Sequence, residues 1–475
     1  MSTAKKFDQQ SFFQEIYSDS KQENVIFKSD KKIISESSHT SIWNTLASIH
    51  NIKSTLKEIF LPEGFPHSVH PDYVAYQIWD TVQAFASTIL GNLTTYSILE
   101  SVGVGNTNKT PLAATIAWIL KDGTGMIGRI VFSWQTGTQL DSQCKKWRLF
   151  ADVLNDLAMG LELMLLYYAT SYTTIILCLS TSMKAVVSVA GGATRAALTQ
   201  HQALNNNICD VSAKDGSQET LVNLVASTFG IFLLSVVPST YFMFLYILFV
   251  TLHIYANYSA IRALRLSSLN EDRLALILDR YIDESHLASV DEVNQKESLF
   301  FGGQLTKQMC GFEISIGASL ASIFKNKKSN HLESEYFEEI VYRFRDEKYL
   351  IYPVIEDKKI YIALRKDAQY LDILKAFFTS YYYGLIISAQ LGNEKMIYKL
   401  IVNKLGPRTI TYNQMYDKKY WAAGNKNNLA LQTMKHFDSI INKDFESWYE
   451  LLQKSDWKHE VNHLPVAGWK ANWQT

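Results

Sequence analysis

The chain of 475 residues has no surplus of either charge: 46 lysines and arginines stand against 46 aspartates and glutamates. No basic face for nucleic acid is therefore expected. Cys144, Cys178, Cys209 and Cys310 are far apart and form no CxxC pair, which argues against a disulfide framework and a thiolate zinc site. The opening stretch, MSTAKKFDQQSFFQEIYSDS, lacks an apolar run, so no cleaved secretory signal is expected. P-loop, GxSxG, HExxH and kinase motifs are all missing. On that basis we expect no enzyme, no bound cofactor and no metal site.

The most informative absence is local. From Thr220 to Ile261, forty-two residues pass without one Asp, Glu, Lys or Arg. A hydrocarbon core takes about 20 apolar residues per helical crossing at ~1.5 Å rise each, so the run is long enough for two. Pro238, Ser239 and Thr240 sit near its middle and divide it into 221–237 and 241–260. Phe232, Phe242, Phe244, Leu245, Ile247, Leu248 and Phe249 would spread around all sides of a helix. That favours a hairpin in lipid; the alternative is a buried hairpin in a large soluble helical protein.

Charge is sparse from about Thr81 onward and dense after Glu271. Thr81–Leu99 is uncharged, Pro111 opens a second helix through about Trp134, and a third starts near Trp147. Spans near 81–99, 111–134, 150–169, 172–194, 221–237 and 239–260 make six. Positive loop charge follows the second, fourth and sixth: Lys145, Lys146 and Arg148; Arg195 and Lys214; Arg262, Arg265 and Arg273. An even count with this alternation places both termini in the cytosol. In the C-terminal part, Tyr349–Val354 and Lys359–Leu364 read as a hairpin with period-two patterning. Long helical patterns cover 367–392 and 426–454, and the lysine-rich segment 320–336 reads as a linker. In the N-terminal part, Val25–Phe27 and Ile33–Ile34 read as edge strands.

Charges among apolar helices are the candidate site. Lys121-Asp122-Gly123-Thr124 and Lys214-Asp215-Gly216-Ser217 share a local design, either a duplicated half-site or coincidence. Asp122 and Arg129 lie seven apart, on one helix face. Asp152, Asn155 and Asp156 offer two carboxylates at i and i+4 with an amide between, suited to a cation or a general acid/base pair, or equally to a helix N-terminus. The polar run from Gly191 through Arg195, His201, Gln202, Asp210, Lys214 and Asp215 to Glu219 should line an aqueous cavity or form a membrane-surface loop. His201 and His253 lack a ligand partner at i+3 or i+4 and read as hydrogen-bonding side chains. Gly123–Gly128 fits GxGxxG, but a helix-like segment precedes it where a strand is needed. Close glycine-mediated helix packing or a local break in the span is expected instead.

Five stretches carry a family resemblance: LPEGFPHSVHPDYVAYQIWDTVQAF (61–85), PLAATIAWILKDGTGMIGRI (111–130), WRLFADVLNDLAMGLEL (147–163), GGATRAALTQHQALNNNICDVSAKDGSQET (191–220) and HIYANYSAIRALRLSSLNEDR (253–273). In this order they resemble the Root UVB Sensitive family, closely over about 61–280 and loosely beyond. The resemblance implies membrane association and a link to ultraviolet-B tolerance and vitamin B6 homeostasis. It supplies no established reaction and no agreed set of binding residues.

The sequence thus predicts a mainly α protein: a polar segment 1–60, a polytopic helical membrane bundle of about six spans over 61–280, and a small α+β soluble domain over 281–475. The expected function is binding, with or without transport, of a small polar solute such as a B6 vitamer in a cavity lined by Lys121, Asp122, Arg129, Asp152, Asn155, Asp156, Arg195, Gln202, Lys214, Asp215 and Asn257. A vitamer phosphate would favour Arg195 and Lys214. The alternative is a membrane-anchored adaptor acting through its C-terminal domain. Expected partners are membrane lipid, the solute, and homo- or hetero-oligomers with family members.

Overall fold

A computed structural model describes residues 12–17, 21–27, 33–35, 55–102, 111–137, 139–167, 172–302, 305–319, 331–393, 395–396, 426–464 and 466–473. The chain forms two compact units that interleave in sequence. One takes Met1–Ala114, Met159–Ile176 and Arg195–Ala263; the other takes Thr115–Ala158, Leu177–Thr194 and Leu264–Thr475. Strands β1 (Phe12–Tyr17), β2 (Lys21–Phe27) and β3 (Ile33–Ser35) pair antiparallel in that order. Both apolar pieces expected as edge strands are strands, Ile33–Ile34 in the edge strand β3 but Val25–Phe27 in the central strand β2. Then come helices α1 (Tyr73–Val102), α2 (Pro111–Thr136), α3 (Cys144–Leu163), α4 (Thr173–Gln202), α5 (Ile208–Val236) and α6 (Phe242–Ala263).

In the first unit α1 packs on α5 and α6. Ala86, Ile89 and Leu90 meet Ala226 and Phe249, and Leu93 meets Phe242. Small residues let the helices approach closely: a Cβ on Gly230 would run into the side-chain amide of Asn92. Thr88 Oγ1 donates to Asn223 Oδ1 at 2.7 Å, a polar link typical of helix pairs in lipid. Pro238 is extended and cannot continue α5, so a 3-10 turn, Ser239–Tyr241, reverses the chain into α6 as the sequence predicts. Outward-facing Leu224, Ile231, Phe232, Phe244, Ile247 and Leu248 are each more than half exposed. Keeping such side chains in water forgoes about 1.5–3 kcal/mol apiece. Together that rivals the roughly 5–15 kcal/mol by which a whole fold is stable.

Among the described residues three helical stretches, not six, are long and apolar enough to cross a membrane: Thr173–Gln202, Ile208–Val236 and Ser239–Ala263. The other three expected spans fail for separate reasons. Helix α1 is diluted along its length by Gln77, Asp80, Gln83, Asn92, Thr94 and Thr95, α2 carries Lys121, Asp122 and Arg129 mid-length, and α3 bears charge from Lys145 through Asp152 and Asp156 to Glu162. Each charge at a span's centre costs about 2.5–3.5 kcal/mol. The expectation that both termini share one side rested on an even count and does not follow from three. The polar run 191–219 is also mostly helix: α4 continues to Gln202 and α5 starts at Ile208. Its charges pair with one another, which lets the helices extend through it.

The second unit joins α2, most of α3 and the middle of α4 to an α+β region. Gly125 and Gly128 of α2 face α4; a Cβ at Gly125 would be 2.9 Å from Thr181 Cγ2, and one at Gly128 3.7 Å from Ala185 Cβ. This is the close helix packing expected of the glycine tract. Helices α7 (Glu271–Glu284), α8 (Val290–Lys296), α9 (Leu305–Cys310), α10 (His331–Arg343), α11 (Tyr370–Gln390) and α12 (Lys426–Gln453) follow. The expected linker 320–336 lies outside the described residues up to 330 and is the start of α10 from His331.

Strands β6 (Tyr349–Val354) and β7 (Lys359–Arg365) form the expected antiparallel hairpin, with Tyr349 opposite Leu364. Strand β5 (Glu313–Ile316) runs parallel to β7. Two short parallel pairs, β4 (Ser268–Leu269) with β8 (Lys458–Asn462) and β7 with β9 (Lys470–Ala471), tie in the C-terminal segment. Helix α11 is apolar or aromatic nearly all round and sits in the centre of this core. Its buried phenols reach acids: Tyr381 donates to Asp279 at 3.1 Å, Tyr382 to Asp444 and Tyr383 to Asp438, so burying these phenols leaves none of the three unmet.

Candidate functional site

A cavity of about 400 Å³ opens in the second unit where the start of α3, the start of α7, β5 and the C-terminal segment converge. Gln139, Gln143 and Lys146 form one side, Glu271 and Asp272 another, and Phe301 with Glu313–Ile316 and Val466–Ala467 the rest. Its walls are set by local rules. Asn270 caps α7, its Oδ1 accepting from the Arg273 amide at 2.8 Å. Glu271 and Asp272 then occupy the first turn, where the helix dipole favours carboxylates. Gly317 ends β5 with φ +71°, and a Cβ there would collide with the Ala467 carbonyl oxygen. Only glycine permits that approach, and it lets Ala467 N donate to Ile316 O at 2.9 Å.

Charge is held in two layers. At the cavity wall Lys146 Nζ stands 2.5 Å from Asp272 Oδ2. Behind it, Lys145 Nζ lies 3.3 Å and Arg273 Nε 3.1 Å from Glu297 Oε2. Lys145 also donates to the Leu264 carbonyl at 3.0 Å and to Asn294 Oδ1 at 2.6 Å. Asn270 Nδ2 donates to Glu297 Oε1 at 2.8 Å. All of these charged residues are buried, and each has a partner, the condition under which buried ions are tolerated.

Burial alone would raise the Glu297 carboxyl, but the charges of Arg273 and Lys145 and the Asn270 hydrogen bond outweigh it and hold the group down at about 2. Glu271 is the opposite case. Burial and the neighbouring Asp272 carboxylate push it up to about 7, against the pull of Lys146 and a hydrogen bond from Thr306. Burial also pushes the Cys144 thiol up to about 12, so that cysteine is an inert core group. The cavity therefore offers an ion pair, a carboxyl near its midpoint at neutral pH, two amides and exposed strand backbone. It can bind a small polar molecule through several directed hydrogen bonds, with Phe301 as an aromatic wall.

None of the eleven residues singled out from sequence lines this cavity. In the second unit, Lys121 pairs with Asp122 at 3.6 Å and lies over the Trp118 ring, Arg129 is exposed, and Asp152 pairs with Arg148 at 3.6 Å. Asn155 is half-buried and Asp156 buried. In the first unit, the structure brings Arg195 and Asp215 together. Arg195 Nε and Nη2 lie 2.9 and 2.5 Å from Asp215 Oδ2, Nη1 lies 2.7 Å from Glu219, and Gln77 donates to Asp215 Oδ1 at 3.0 Å. Lys214 donates to the Glu58 carbonyl, the Gln202 carbonyl accepts from the His70 amide at 2.9 Å, and Asn257 is buried in α6. The two similar tracts end up unlike each other, with Asp122 exposed and Asp215 buried. In the sequence Lys146 reads as loop charge and Glu271 only as the point where charge becomes dense. Nothing in their spacing shows that they meet.

Two family models together span nearly the whole described chain: the Vitamin B6 photo-protection and homoeostasis domain matches residues 47–285, and the Root UVB sensitive protein C-terminal region matches 286–473. The chain belongs to the Root UVB Sensitive family. Protein root UVB sensitive 3 of Arabidopsis thaliana is 30% identical over 448 residues, 93% of this chain and 91% of that protein. RUS family member 1 of Dictyostelium discoideum is 40% identical over 294 residues, 60% of this chain and only 54% of that protein's length. Protein root UVB sensitive 2, chloroplastic, of Arabidopsis thaliana is 31% identical over 283 residues, covering 59% of this chain and 64% of its own. No solved structure matches. The cavity draws its lining from both matched regions of the Root UVB Sensitive chain, Gln139, Gln143, Lys146, Glu271 and Asp272 from one and Phe301, Glu313–Ile316 and Val466–Ala467 from the other.

Proposed function

We propose that this Root UVB Sensitive protein is a membrane-anchored binder of a small polar solute, and that the solute is an unphosphorylated B6 vitamer. One observation carries the reading: a cavity of about 400 Å³ whose lining holds Lys146, Asp272, Glu271, Gln139, Gln143 and Phe301. The volume accommodates a substituted pyridine ring. The lining matches its hydroxyl and amine substituents, and Phe301 gives the ring a face to pack on. The family's description supplies the vitamin class.

Two further points sharpen the proposal. Lys146, the one ammonium among the lining residues, is engaged by Asp272, so it is not available to neutralise a phosphate dianion. Arg195, which the sequence favours for holding a phosphate, has its guanidinium engaged by Asp215 and Glu219. Moreover, every lining residue lies outside the three apolar helices. We therefore favour binding over transport along those helices.

Thermal shift on the full-length protein in detergent tests this, because a ligand at about 100 times its Kd stabilises the native state by about 2.7 kcal/mol. Pyridoxine and pyridoxamine are expected to raise Tm and their 5′-phosphates to do so far less. Gln143→Ala, which removes a lining amide outside the ion-pair network, should weaken binding about tenfold. A flat response to every vitamer would sink the proposal.

A further inference from the structure

The foot of α1 and the end of α4, both in the first unit, bring together three side chains that the cavity does not use. His70 Nδ1 lies 2.8 Å from Asp72 Oδ1, and His201 Nε2 lies 2.9 Å from Asp72 Oδ2. The two imidazole rings are 4.2 Å apart between centroids, and one donor atom from each residue fits within 4.8 Å of the other two. The Asp72 carboxylate is fully buried, His201 nearly so, and His70 keeps one side toward solvent.

The backbone sets this arrangement before any ligand arrives. His70 N donates to Gln202 O at 2.9 Å, Leu204 N donates to Ser68 O at 3.2 Å, and Val69 bridges Ala203. The segment entering α1 is thereby pinned to the segment leaving α4, with His70 and Asp72 on one and His201 on the other. Ser68 Oγ and Gln202 Nε2, on these same segments, are buried without a hydrogen-bond partner.

We propose that His70, Asp72 and His201 form a binding site for a divalent transition-metal ion, Zn²⁺ foremost. Two imidazole nitrogens and one carboxylate are a set that zinc accepts at about 2.0–2.2 Å, and three protein ligands leave a fourth position for water or a substrate group. Two features suit a cation here. His70 Nδ1 and His201 Nε2 flank the two oxygens of one buried carboxylate at 2.8 and 2.9 Å, so three donor groups from two segments converge on one point. His201 is also in the last turn of α4, where the unpaired carbonyls of the helix end favour a cation.

The site is tested on the full-length protein in detergent, stripped with chelator and titrated with Zn²⁺ and with Co²⁺ as a spectroscopic probe. We expect one equivalent of zinc per chain, a rise in Tm on adding it, and a Co²⁺ visible band of the intense four-coordinate kind. His70→Gln and His201→Gln keep polar side chains of similar reach and should each lose more than about 100-fold in Zn²⁺ affinity and abolish the band. If the wild-type protein takes up no stoichiometric metal and shows no such band, the proposal fails, whether or not the variants fold. It fails equally if folded variants bind zinc as the wild type does.

Discussion

Glu297 is the residue on which the second unit's charge is balanced. Two cations, Lys145 and Arg273, share its one carboxylate. Glu297→Gln keeps the Asn270 hydrogen bond but removes the carboxylate that both buried cations share, and we expect a loss of about 3–5 kcal/mol in denaturant unfolding. Its depressed carboxyl also sets an acid limit. The stability it contributes is complete above the ordinary value of 4.5 and is lost as pH falls toward about 2. Glu271 has the opposite sign. Its carboxyl titrates near 7 in the fold against 4.5 ordinarily, so ionising it costs stability as pH rises through that interval. Glu271→Gln should be neutral below about pH 4.5 and stabilising, by up to about 3 kcal/mol, above pH 7. Thermal melts across that range check it. Neither role was legible in the sequence, where Glu271 and Glu297 are two acids among 46. His201 likewise reads as a lone histidine because Asp72 stands 129 positions away; spacing exposes only neighbours on one helix or strand.

At the level of elements, local pattern told much more. Pro238 marked the reversal between α5 and α6, period-two alternation marked β6 and β7, and Pro111 opened α2 at its first residue. The glycine tract 123–128 lies inside α2 and is not a nucleotide loop; Gly125 and Gly128 seat α2 on α4. Gly125→Leu should therefore force those helices apart and cost about 1–3 kcal/mol. Gly317→Ala should be worse than its size suggests, because it combines a left-handed backbone with a clash against the Ala467 carbonyl. It should also reshape the cavity wall, so a lowered Tm with loss of any vitamer response is expected. What local pattern could not supply was where helices end in polar sequence. Residues 208–219 look like loop because they are charged, yet Asp215 is buried against Arg195 and Gln77 and the helix runs on.

For the molecule as a whole, helical length and few charges are not enough to count a crossing. Helix α1 is poor in charge, yet it turns Ala86, Ile89, Leu90 and Leu93 into protein while Val74, Ile78 and Leu99 stay exposed, and α2 and α3 carry charge along their length. The three remaining apolar helices make a direct prediction. Leu248→Arg on the outward face of α6 adds about 2.5–3.5 kcal/mol to insertion and should shift the protein from the carbonate-resistant membrane fraction toward the soluble one. An equal substitution on the exposed surface of α12, such as Gln453→Arg, should not.

The interleaving of the two units bears on how relatives can be recombined. Lys145, within the first family region, is satisfied by Asn294 and Glu297, which lie past the boundary at 285 in the second. A fragment ending at that boundary takes away both the carboxylate and the amide that hold the Lys145 ammonium, and a hybrid joined there should be most stable when both parents agree on who neutralises it.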